Sequence, residues 1–156
     1  MNELRIIRGD ITEIYADAIV NAANSNLVIG GGVCGAIFKA AGERQLQTAC
    51  EKYAPIHVGN AVITPGFALP AKYVIHAVGP AYQHKYKEEC ERDLRLTYIN
   101  SLNLALENGC ESVAFPLISS GIYGYPKAEA LQVAIDAILN FIANHDINVY
   151  LILFEG

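Results

Sequence analysis

The sequence has no tryptophan, a single methionine and little positive charge: 11 Lys and Arg stand against 16 Asp and Glu, for a net charge of −5. A groove for duplex nucleic acid needs clustered cations to neutralise phosphates, and here they are few and dispersed. Polymeric nucleic acid is therefore disfavoured as a partner, although a flipped or terminal nucleotide remains compatible. The four cysteines, Cys34, Cys50, Cys90 and Cys110, form no C-x-x-C pair and have no histidine pattern beside them. That spacing argues against a zinc site and against a disulfide framework, and most of the four read as buried thiols. Long hydrophobic runs are also missing. The longest, such as Val149 to Phe154, are too short to span a bilayer, and Met1 to Arg5 lacks a signal-peptide core, so a soluble, cytoplasmic protein without a membrane role is expected. Neither glycine-containing loop carries Lys or Arg, and G-x-x-x-x-G-K-[ST] does not occur, which excludes a P-loop.

What the chain does have is a high apolar content, 53% of 156 residues, enough for one domain spanning 1–156 to bury a core without staples. Its organising stretch runs from Ala16 to Gly42: an apolar run at Ala18 to Val20, asparagines at Asn21 and Asn24, glycines at Gly30, Gly31, Gly32 and Gly35, then helix formers from Ala36 to Ala41. A strand feeding a loop that opens a helix presents backbone N–H groups where anions are favoured. The helix is expected to continue, broken at Gly42, to about Tyr53. Gly30 to Gly35 formally matches G-x-G-x-x-G, but Ala23 to Ile29 separates the strand from the glycines, where a dinucleotide-binding turn is tight, and no acidic residue ends a second strand.

Further strands are expected at Leu4 to Ile7, Ala61 to Thr64, Tyr73 to Val78, Ser112 to Leu117 and Asn148 to Phe154. Glu88 to Asn108 reads as a helix, with Leu94, Tyr98, Leu102 and Ala105 on one face and Gly109 just past its end. A second glycine-containing loop, Ile118 to Tyr125, leads into another helix with Pro126 at its first position. Strands alternating with helices, two of them followed by such loops, make an α/β sandwich with its ligand over the strand C-termini.

Individual side chains admit two readings. Asp10 at a strand end suits a cap on the turn through Thr12 and Glu13, or a carboxylate accepting from an exocyclic amine; the residues alone favour the cap. Asn21 and Asn24 suit backbone bonds within the loop. Tyr123 suits packing or a lid over a sugar. His76, inside an apolar strand and far from His57, His84 and His145, reads as a satisfied core histidine rather than a base.

Taken together, Gly9-Asp10-Ile11-Thr12, Asp17 to Asn24, Gly30-Gly31-Gly32-Val33 with Gly35-Ala36-Ile37, Leu69 to His76, Val78-Gly79-Pro80 and Ser119 to Pro126 resemble a macrodomain, closest to the bacterial MacroD-type branch. The resemblance implies a three-layer α/β/α sandwich around a mixed sheet of about six strands. It also implies binding of ADP-ribose or ADP-ribosylated protein, and hydrolysis of mono-ADP-ribose from acidic side chains or of O-acetyl-ADP-ribose, by a monomer without metal or cofactor. By motif, Asp10 and Ile11 would hold the adenine, reversing the capping preference. Gly31, Gly32 and Val33 would hold one side of the diphosphate and Ser119, Ser120, Gly121, Ile122 and Tyr123 the other. Asn24 would meet the distal ribose and a water, and Phe154 would stack on the adenine. Cys34 stands where the branch usually has a water-orienting Asp, and Phe38 replaces a frequent His. A thiol with an ordinary pKa of about 8.5 makes no carboxylate contact, so the implied enzyme is weighed against a reader that binds without turnover. For Cys34 itself a small packing residue is preferred to a nucleophile.

Overall fold

The computed structural model describes residues 2–154. Six strands form one mixed sheet in the order β1-β6-β5-β2-β4-β3: β1 (Leu4–Arg8), β2 (Ala18–Ala22), β3 (Ala61–Pro65), β4 (Tyr73–Ala77), β5 (Ser112–Pro116) and β6 (Asn148–Leu153). All neighbours pair in parallel except β3, which lies antiparallel to β4 at the edge. The central strands are apolar on both faces because both are covered, as parallel sheets require.

The helices divide between those faces. α1 (Gly32–Ala41) and α2 (Glu43–Glu51) pack Ile37, Phe38, Ala41 and Leu46 against Ile19, Val74, Ala114 and Ile152. α3 (Lys87–Glu107) and α4 (Lys127–Ile142) pack Leu94, Tyr98, Leu102, Val133 and Ile138 against Val20, Ile75, Phe115 and Leu151. The period-2 alternation of the strands thus feeds two cores. Each fully buried Leu or Ile contributes about 1.5–3 kcal/mol. The three-layer sandwich with a mixed sheet is as expected, and the stripe Leu94, Tyr98, Leu102, Ala105 is wholly buried.

Most element ends shift by a residue or two from those expected, and two of the differences bear on the site. α1 begins at Gly32 rather than after the glycines, so Gly32 and Gly35 are helical. Gly35 is required inside the helix because a Cβ there would stand 2.5 Å from the Gly30 carbonyl oxygen, letting the incoming loop press directly on the helix. Pro126 is the residue before α4 rather than its first, with extended ψ of 128°.

The position of the site follows from connectivity. From β2 the chain crosses to α1 on one face, and from the adjacent β5 it crosses to α4 on the other, so a crevice opens between the C-termini of β2 and β5.

Candidate functional site

That crevice is a cleft of about 730 Å³, within the range of small-ligand sites. One wall is the loop between β2 and α1, the other the loop between β5 and α4, and the floor is the ends of β2, β5 and β6. The second loop reaches the floor because Gly79 lacks a side chain: a Cβ there would stand 2.4 Å from Ser119 Oγ and 2.5 Å from Ile118 Cγ2. From behind, the buried Tyr98 hydroxyl accepts from the Ile118 N–H at 3.0 Å and donates to the Pro116 carbonyl at 3.3 Å, tying α3 to the base of this loop. Ile122, 89% exposed, reaches toward the opposite wall, its Cδ1 3.9 Å from where a Gly31 Cβ would be.

The cleft gathers Asn24, Gly31, Gly32, Val33, Cys34, Ser119, Ser120, Gly121, Ile122, Tyr123 and Phe154, all named from the sequence. Asp10 and Ile11 are not among its lining residues. Asp10 Oδ1 caps the 3-10 turn Ile11–Glu13, accepting from Thr12 N–H at 2.9 Å and Thr12 Oγ1 at 2.6 Å. The capping reading therefore holds as geometry, and Ile11 is buried in the core beside α1.

Two cations were missed. Arg8 at the end of β1 and Lys127 at the start of α4 line the cleft, and no carboxylate does among the described residues. Neither lies in a glycine loop; only the sheet order, which puts β1 beside β6, and the entry of α4 bring them to the rim. The cleft of an acidic protein is thus locally suited to an anion, with the unfilled N–H groups of α1 contributing from its N-terminus.

Asn24 makes the backbone bonds suggested for it and also lines the cleft. Its Nδ2 donates to the Val28 carbonyl at 2.8 Å, and its Oδ1 accepts from the Val28 N–H at 3.1 Å, while the side chain borders the cleft. Cys34 is 7% exposed and sits near it, its Sγ 3.8 Å from the same Val28 carbonyl. Burial pushes the thiol pKa up, opposed by hydrogen bonding from the Gly30 backbone and the Asn21 side chain. A protonated thiol is a poor nucleophile, which agrees with the packing reading. The four cysteines are all free and buried.

His76 is the satisfied core histidine expected. It is wholly buried on the α1/α2 face, opposite Asn21 in the β2–β4 register, with Nδ1 3.1 Å from Asn21 Nδ2 and Nε2 3.0 Å from Thr64 Oγ1. Desolvation lowers its pKa to about 4, so the ring is neutral at pH 7. Among the described residues no His, Cys, Asp and Glu cluster could hold a metal ion, and no helix is long and apolar enough to cross a membrane.

Comparison with known proteins converges on this geometry. The sequence model of the family described as Macro domain matches residues 20–134. The chain is 49% identical over 144 residues to an O-acetyl-ADP-ribose deacetylase of Citrobacter rodentium, covering 90% of this chain and 81% of that protein. A solved Oceanobacillus iheyensis macrodomain with ADP superposes with a TM-score of 0.94 at 39% identity, covering 99% of this chain and 85% of the other. A Trypanosoma brucei macrodomain in complex with ADP-ribose superposes with a TM-score of 0.86 at 36% identity, covering 96% of this chain and 63% of the other.

Proposed function

Since the chain belongs to the macro domain family, we propose that its cleft binds ADP-ribose and that the protein hydrolyses O-acetyl-ADP-ribose and mono-ADP-ribose esters of acidic side chains. The observation that carries this reading is the cleft itself: two backbone loops, two cations, Arg8 and Lys127, in the lining and no carboxylate among the described lining residues. The deacetylase name of the Citrobacter relative and the ADP and ADP-ribose held by the structural neighbours support the ligand class.

In this reading the diphosphate lies between Gly31 to Val33 and Ser119 to Tyr123, bound by backbone N–H groups, with Arg8 and Lys127 at the rim. The adenine lies toward Phe154, whose ring is 65% exposed and free to stack. Asp10 uses only Oδ1 in its cap, so Oδ2 is the oxygen for the adenine amine. Asn24 meets the distal ribose. A water held by the ligand's own phosphate and the Asn24 carboxamide attacks the ester carbonyl or the ribose anomeric carbon. Its proton passes to the phosphate; on the carbonyl route that proton is handed on to the departing ribose oxygen, which leaves as hydroxyl, and on the anomeric route the side chain leaves as carboxylate. Rate acceleration comes from positioning rather than from a strong base, which suits a cleft whose residue 34 is a protonated thiol.

The buried thiol also favours a second reading, a reader that binds ADP-ribose without turnover. Incubating the protein with O-acetyl-ADP-ribose and with a glutamate-ADP-ribosylated protein separates the two, comparing the parent, Asn24→Ala and Cys34→Asp. Turnover by the parent that Asn24→Ala loses supports the hydrolase. Tight ADP-ribose binding without turnover establishes the reader, and no calorimetric binding of ADP-ribose overturns both.

A further inference from the structure

The first wall of the cleft is held from behind by α2. Gln47 reaches the loop between β2 and α1 with both ends of its carboxamide: Nε2 donates to the Leu27 carbonyl at 3.1 Å, and Oε1 accepts from the Ile29 N–H at 3.3 Å. A carbonyl only accepts and a backbone N–H only donates, so the amide fits in one orientation alone. These contacts bracket Val28, whose own N–H and carbonyl are both engaged by Asn24. Two side-chain amides thus hold consecutive residues, Gln47 the outer pair and Asn24 the one between.

The loop needs holding. Leu27 has a φ of 53°, in the left-handed region that residues with a Cβ rarely adopt, and such a conformation persists only where its surroundings fix it. Its side chain is buried in the α1/α2 core and its N–H donates to the Asn24 carbonyl at 3.0 Å. Val28, by contrast, is 45% exposed, so packing does little to place it. At Val28 and Ile29 the backbone is held by side chains, Asn24 and Cys34 at the first and Gln47 at the second. Asn24 spends one hydrogen of Nδ2 and one lone pair of Oδ1 on Val28, which leaves one of each. Where Val28 sits decides where those two point.

We propose that Gln47 is a positioning residue of the cleft: by fixing Leu27 and Ile29 it places Val28, and through Val28 it sets the orientation of the Asn24 carboxamide. Gln47 is not among the cleft-lining residues and acts only through the loop. The glycines that follow are fixed separately, by the start of α1 and by the Gly30 carbonyl lying against Gly35, so the diphosphate side of this wall does not depend on Gln47. Only the turnover measurement below rests on the hydrolase reading.

Two measurements test it. Amide hydrogen exchange followed residue by residue needs no activity. The Val28 N–H bonds to Asn24 and not to Gln47, so its exchange reports the Asn24 clamp. Gln47→Met keeps the length of the side chain and its helix propensity. In that variant Val28 exchange is expected to quicken at least about tenfold, from the loss of the two bonds that hold the loop. Unchanged exchange at Val28 overturns the proposal whether or not the protein is an enzyme. The second measurement is a split in an active parent. Gln47→Met should lower kcat on O-acetyl-ADP-ribose about tenfold, while the affinity for ADP, which lacks the distal ribose, stays within about twofold. Equal kcat in Gln47→Met and the parent overturns the proposal. An ADP affinity that falls as far as kcat also overturns it, because Gln47 would then shape the whole wall rather than Asn24. Gln47→Glu keeps the shape and the bond to Ile29 but sets an oxygen against the Leu27 carbonyl; it should show the same losses, and it decides the matter if Gln47→Met fails to fold. A parent without turnover removes the hydrolase reading and leaves the exchange measurement to decide.

Discussion

Asn24 and Val28 hold each other at both ends of one side chain: Nδ2 donates to the Val28 carbonyl at 2.8 Å, and the Val28 N–H returns a bond to Oδ1 at 3.1 Å. The carboxamide that borders the cleft is therefore also the clamp that shapes its first wall. Asn24→Ala is expected to cost about 1 kcal/mol of stability, from the bonds it removes, and in the hydrolase reading to lower turnover by at least about tenfold. Thermal denaturation and initial rates on O-acetyl-ADP-ribose measure the two effects separately; a full rate with lowered stability would leave Asn24 a purely structural residue.

His76 makes stability depend on pH in a definite direction. Its pKa is about 4 in the folded chain against 6.5 when exposed, so the unfolded state binds the proton more tightly. The contribution is fully present above pH 6.5, declines as pH falls from 6.5 toward 4, and is lost below that. Its size is ~3 kcal/mol, at about 1.4 kcal/mol per tenfold difference in proton affinity. Urea unfolding from pH 7 to 4 should therefore fall more steeply for the parent than for His76→Gln. Parallel curves would contradict a neutral buried ring.

Gly79 is expected to matter more than its position outside both loops suggests. A methyl group at 2.4 Å from Ser119 Oγ and 2.5 Å from Ile118 Cγ2 must displace the start of the second wall. Gly79→Ala should be destabilised by about 1–3 kcal/mol, the usual cost of overpacking, and should bind ADP-ribose at least about tenfold more weakly. Calorimetric titration beside a denaturation curve tests it, and undiminished affinity would mean that the loop adjusts without harm.

Lys127 supplies charge in a cleft whose described lining residues include no carboxylate. Lys127→Glu should weaken ADP-ribose binding severalfold at low ionic strength, with the difference shrinking above about 0.3 M salt as the field is screened. A salt-independent difference would point to steric rather than electrostatic causes.

The strands, the four principal helices and most of the cleft were legible along the chain, because each rests on local physics. A short apolar run such as Ala18 to Val20 specifies a covered strand, the stripe Leu94, Tyr98, Leu102, Ala105 specifies one helical face, and glycine-containing loops mark where a strand hands over to a helix. Asn24, Cys34 and the individual loop residues were named through the resemblance to macrodomain motifs, and eleven of the residues so named line the cleft. The start of α1 was not legible, because glycine at positions 32 and 35 disfavours a helix locally, and only the tertiary structure shows that Gly35 is needed within α1 to admit the Gly30 carbonyl.

The sequence by itself determined which segments are strands, which loops carry glycine, and that residue 34 is a thiol in a protein of the macro domain family. Only the tertiary structure decided that Arg8 and Lys127 share the cleft, that Gly79 makes room for Ser119, and that Asn21, His76 and Thr64 meet across three strands. The reason is distance along the chain. Asn21 and His76 are 55 residues apart and meet because β2 and β4 pair in register. Local patterning encodes the elements, but a hydrogen bond between neighbouring strands exists only once the sheet has brought them side by side.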